Sequence, residues 1–101
     1  MTFRINGTTL QEPAMLLSEW VASGTALTRQ YTLRYDALSG PALKAFLSRL
    51  TAAAVTMHFL DPLTDTQADA AVKPVSLSCE AAAERAGVMW YAPCTFVLKQ
   101  A

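Results

Sequence analysis

ALTRQYTLRYDALSGPALKAFLSRLT, residues 26–51, changes its hydrophobic period partway along, and that change decides the fold class. Over 26–35 the pattern repeats every second residue. Leu27, Arg29, Tyr31, Leu33 and Tyr35 share one face, and Thr28, Gln30, Thr32 and Arg34 share the other. β-branched and aromatic side chains suit a pleated, half-buried surface, so this stretch is a strand. From Pro41 the spacing becomes helical. Leu43, Phe46, Leu47 and Leu50 form one apolar stripe, with Lys44, Ser48 and Arg49 on the outer side. Ser39 is the expected N-cap, and Pro41 loses no hydrogen bond in a first helical turn. The spacing predicts a helix over 41–51 whose stripe is a core face.

Working outward, Phe3 and Ile5 alternate with Thr2 and Arg4, and Asn6-Gly7 suits a type I′ turn, so the chain opens on a tight hairpin that Pro13 ends. Residues 14–24 fit a helical turn or a strand; an extended segment is favoured, with a break at Ser23-Gly24. Val55, Met57 and Phe59 alternate with Thr56, His58 and Leu60 in a further strand, followed by a loop over 61–66. Residues 68–80 are extended, with Pro74 marking an edge or a bulge. Residues 81–87 form a connection. The last strand, 88–99, places Trp90, Ala92, Cys94, Phe96 and Leu98 on one side, with Pro93 bending or bulging it. The expected fold is α+β: a mostly antiparallel β-sandwich or partly closed barrel of about six strands with one central helix, in a single domain over 1–101.

Composition adds a second expectation. Only 16% of the 101 residues are charged, where an ordinary soluble domain carries about 25%. The hydrophobic fraction is 52% and the formal net charge is zero. A chain this short is mostly surface, so part of its apolar material lies outside. Alanine supplies 18 residues and costs little to expose; contiguous larger side chains would instead mark an interface. Two elements are expected to make contact with neighbouring chains. Residues 14–25, with Met15, Leu16, Leu17, Trp20 and Val21, are apolar outside any clear core pattern. The 61–73 hairpin loop, with Leu63 and Val72, is long enough to reach a neighbour.

Several function classes are disfavoured. No apolar run of about 18 residues offers a membrane span, and the opening residues lack the pattern of a secretory signal. The basic residues are scattered, against the clustered face that nucleic-acid binding needs. His58, the single histidine, sits on the polar face of its strand with no nucleophile or carboxylate supplied by local spacing. Asp61, Asp65 and Asp69 lack the glycine and closing glutamate of a calcium loop. Glu80 and Glu84 have nothing to place them across a substrate, and glycines 7, 24, 40 and 87 form no phosphate loop. Cys79 and Cys94 could be joined if their strands pair, but two buried thiols acting as small hydrophobes is the favoured reading. No catalytic residue, metal or cofactor is expected.

The order of these signals resembles small tail proteins of long-tailed bacteriophages and prophages. The resemblance rests on Phe3-Arg4-Ile5-Asn6-Gly7 with Leu10 and Pro13, on Tyr31 to Gly40 leading into Leu43–Leu50, on Val55–Pro62, and on Trp90-Tyr91 with Phe96-Val97-Leu98. It implies a β-sandwich flanked by a helix, in a virion subunit of the tail tube, terminator, distal ring or baseplate. Such proteins form rings with copies of themselves, often sixfold, and join other tail proteins, having assembled in the host bacterial cytoplasm. Residues 14–25 depart from the pattern, being more apolar than the arginine- and glycine-rich loop of many such proteins. The competing expectation is a monomeric small-ligand or protein-binding module with a pocket between helix and sheet.

Overall fold

The computed structural model describes residues 3–101; Thr2, expected in the first strand, lies with Met1 outside the described residues. In chain order the elements are β1 (Arg4–Ile5), β2 (Thr8–Thr9), β3 (Met15–Ser23), β4 (Ala26–Tyr35), β5 (Leu38–Ser39), α1 (Gly40–Leu50), β6 (Val55–Asp61), β7 (Thr66–Arg85) and β8 (Val88–Gln100). Every pairing is antiparallel. The strands run β2-β1-β6-β7-β8-β4-β3 in space, with β5 beside β8. The fold is therefore α+β, mostly antiparallel and sandwich-like. It has eight strands among the described residues, more than expected, and the sheet stays open instead of closing into a barrel.

One long strand makes two layers from one sheet. The 66–72 half of β7 pairs with β6, while its 72–85 half pairs with β8. Pro74 has no N–H to give, and the register slips between Pro74 and Ser76. The two halves can then face each other, and Tyr31 on β4 meets Phe59 on β6 edge-on, with ring centroids 5.1 Å apart. Helix α1 supplies Phe46 and Leu50 to the same core. Phe46 stacks on Phe96 at 4.9 Å and meets Tyr35 at 5.1 Å and Phe3 at 6.2 Å. The apolar stripe is narrower than its spacing predicts: Leu47 is exposed, and Leu43 only leans on the core.

Local chemistry explains most element ends. Asn6 and Gly7 both take positive φ, 51° and 78°, as a type I′ turn requires. Asn6 also ties the hairpin to the strand beside it: its amide donates to the Ala54 carbonyl and accepts from Thr56 N–H. Ser39 caps α1 by accepting from Ala42 N–H at 3.3 Å. Ser39→Ala is expected to cost about 1 kcal/mol and to lower Tm by about 4–8 °C in calorimetry.

Residues 14–24 are extended as favoured, and the strand ends where the break was expected: β3 pairs with β4 along its whole length and the turn begins at Gly24. Three expectations are corrected. The 61–73 loop shrinks to the turn 62–65; from Thr66 the chain is strand paired to β6. The 81–87 connection is strand up to Arg85, closed by a tight turn at Ala86-Gly87 with φ of 51° and 80°. Alanine at 81–83 carries too little contrast for a period of two to be visible there. At Pro93, whose preceding peptide is cis, the ladder resumes on both sides through Ala92 and Cys94.

Candidate functional site

The strand alternation sorts the expected contact residues. In β3, Leu16, Ser18 and Trp20 share the phase that faces the inside of the sandwich, opposite Leu33, Tyr31 and Arg29 of β4, but Trp20 lies beyond the core and is 58% exposed. Met15, Leu17 and Val21 point the other way, and all three are exposed, Met15 by 50%. Leu63 is exposed in the turn after β6. Two of the expected residues change role. Val72 is only 2% exposed and belongs to the core, because β7 buries it between Val55 and Gln100. Leu16 is half-buried against the same core. Val72 therefore presents no free surface to a neighbour, while Leu16 keeps part of its surface accessible.

The sheet has two substantial free edges among the described residues. One is the outer edge of β3, nine residues long. The other is β7 beyond Val72, where β8 pairs on one side and nothing pairs on the other. That half of β7 and its partner β8 form a ribbon that runs past the core. Its last stretch, Ala81–Arg85 opposite Val88–Ala92, adds about 20 Å with its turn. The molecule accordingly measures 49 × 27 × 27 Å. The ribbon carries exposed Val75, Leu77, Val88, Met89 and Trp90. Trp90, expected on the core face, pairs with Ser39 and Ala83 too far out to be covered.

A polar node sits where the layers meet. Arg29, inward-facing on β4, donates through Nη1 to Asp61 Oδ2 at 2.9 Å and through Nη2 to Asp61 Oδ1 at 3.0 Å. Arg29 Nη2 also donates to the Ser18 hydroxyl. The guanidinium lies 5.2 Å from the Tyr31 ring and 5.6 Å from that of Trp20, so two aromatic faces screen it from water. Asp61 additionally accepts from Leu63 N–H at 3.0 Å. Hydrogen bonds from Arg29 hold the Asp61 carboxyl below the usual carboxylate range, and the same contact holds Arg29 above its own usual value. The node clamps β6 to β4 across the sandwich, and of its atoms Arg29 Nε is buried without a hydrogen-bond partner. Sequence reasoning ended the strand at Leu60 and put Asp61 in a loop. The missed signal is phase: Asp61 continues the buried series Val55, Met57, Phe59.

The remaining acids and the histidine disperse. Asp61, Asp65 and Asp69 do not converge, since Asp61 faces inward, Asp65 shapes the turn at φ 55° and Asp69 lies on the outer face. Register gives His58 a carboxylate that local spacing did not: Nδ1 lies 2.7 Å from Asp69 Oδ1, on an exposed face. Cys79 and Cys94 stand directly opposite each other on β7 and β8 as free thiols. An open cleft of about 400 Å³ lies between the start of β3 and the turn after β6, lined by Phe3, Pro13, Leu16, Phe59, Pro62 and Asp65 among others. No helix among the described residues is long and apolar enough to cross a membrane. No protein family, curated protein or solved structure matches the chain.

Proposed function

We propose that this chain is a structural subunit that assembles with copies of itself, as a component of a bacteriophage or prophage-derived tail. The observation that carries the reading is the pair of unlike free edges on one sheet, each beside exposed apolar side chains: β3 with Met15, Leu17 and Val21, and the β7 ribbon with Val75 and Leu77. An unpaired edge offers a row of N–H and C=O groups that a strand of another chain can complete. Because the two edges differ, pairing one with the other is head to tail, and a head-to-tail contact closes into a ring when its rotation allows. The low charge fits surfaces that neighbours cover. In this reading other tail or baseplate proteins meet the ring, and the virion is where the subunit works.

Oligomeric mass tests this. The wild-type chain is expected to elute as a multiple of its 10.9 kDa mass. Met15→Ser with Leu17→Ser is expected to elute as a monomer with unchanged circular dichroism, since both side chains point away from the core. Light scattering on the eluted peak, with electron imaging of negatively stained particles, reads both. A wild-type chain that stays monomeric at high concentration overturns the proposal. The cleft favours a second reading, a small-ligand module. Its lining is apolar with Asp65 as a carboxylate to orient a guest. That reading requires a monomer whose Tm rises with an apolar amine.

A further inference from the structure

The chain holds two cysteines in 101 residues, and the register makes them partners on one rung of the β7–β8 ladder. Sequence spacing alone favours inert buried thiols, and it could not know that these strands pair. The rungs on either side of the pair, on the same face, are Leu77–Phe96 and Ala81–Ala92. Ordinary apolar side chains therefore suffice at the adjacent positions. The rung also sits at a mechanical boundary. Cys94 is fully buried in the core cluster, while every residue of Glu80–Trp90 is exposed. Cys79 is partly accessible, so a small reagent can reach one sulfur of the pair and not the other.

We propose that Cys79 and Cys94 form a reversible disulfide, a redox lock at the root of the projecting ribbon. The oxidant is a small-molecule disulfide. The Cys79 thiolate attacks one of its sulfurs, breaking the reagent's S–S bond and releasing one thiolate. Cys94 then gives up its proton and attacks the Cys79 sulfur, expelling the second thiolate. Both cysteines are oxidised, the reagent is reduced to two thiols, and the two protons end on those thiols. Burial pushes the Cys94 thiol up to about 12, so closure is the slow step and attack begins at Cys79. Once formed, the bond crosslinks the ribbon where it leaves the core and restricts the unfolded chain.

The test uses the reduced full-length chain with oxidised glutathione, quenched with N-ethylmaleimide, and reads the mass of the single denatured chain. That readout is independent of whether the native protein assembles. The expected product is a monomeric chain lighter by two hydrogens, with no glutathione and no maleimide attached, and with peptides around 79 and 94 joined. Its Tm is expected to rise by about 10 °C and to return on adding dithiothreitol. Cys94→Ser is expected to retain glutathione on Cys79, while Cys79→Ser is expected to stay unmodified. A wild-type chain that keeps glutathione on Cys79, joins to a second chain or keeps both thiols free overturns the proposal.

Discussion

Phe46→Ala is expected to lower the unfolding free energy by about 3–5 kcal/mol, the range for truncating a fully buried aromatic. Phe46 is 1% exposed and touches rings from three separate parts of the chain, Phe3, Tyr35 and Phe96. Phe46 and Leu50 are the helix residues that are buried, with Leu43 only leaning on the core, so alanine at 46 removes one of the two main anchors of α1. Three flat rings around the void collapse poorly into it, which puts the cost at the upper part of that range. Domains of this size are stable by only about 5–15 kcal/mol. The variant is therefore expected at the margin of folding. Urea unfolding checks it: the midpoint should fall sharply with the slope unchanged. Leu47→Ala, one residue along and exposed, should cost less than about 1 kcal/mol. Equal costs at 46 and 47 would mean that α1 is not seated as described.

That contrast shows where the sequence was legible. The change from period two to helical period at Ser39–Pro41 marks a real boundary, with the cap and the proline as its local causes. Tyr31, Leu33 and Tyr35 are buried as their alternation predicts, and so are Val55, Met57 and Phe59. What periodicity cannot supply is how far an element reaches beyond the core. Leu27 and Trp90 continue buried faces in sequence, yet both lie outside the layers and are exposed. The alanine-rich half of β7 has no contrast to read, so a paired strand resembles a connection. The candidate surfaces divide in the same way. Met15, Leu17 and Val21 are visible as apolar residues without a core partner. Val72 is hidden in the core because two strands claim it, a fact of register that no local pattern contains. The Arg29–Asp61 pair is likewise a long-range fact, joining strands that adjoin neither in sequence nor in the sheet.

Breaking that pair from one side is expected to cost about 3–5 kcal/mol, because it leaves one buried charge without its partner. Arg29→Met strands the Asp61 carboxylate, which is 2% exposed. Asp61→Asn strands the guanidinium between Trp20 and Tyr31. Arg29→Met with Asp61→Leu removes both charges and should be more stable than either single variant, since the apolar pair leaves nothing buried and unmet. Acid gives an independent check with a definite sign. Hydrogen bonds from Arg29, then the Leu63 N–H, lower the Asp61 pKa in the folded chain while desolvation opposes them. A carboxyl with a lowered folded pKa binds more protons unfolded than folded as pH falls. Its contribution is complete above the ordinary carboxylate value of about 4 and is lost as pH drops through the folded value below it. Arg29 keeps its charge throughout, its own pKa being raised. Wild type and Asp61→Asn should therefore differ most near neutral pH and converge in acid, where Asp61 is protonated and resembles asparagine. Urea midpoints of both chains between about pH 6 and pH 2 measure the gap. A gap that stays constant across that range would show that the Asp61 charge contributes nothing to holding the two layers together.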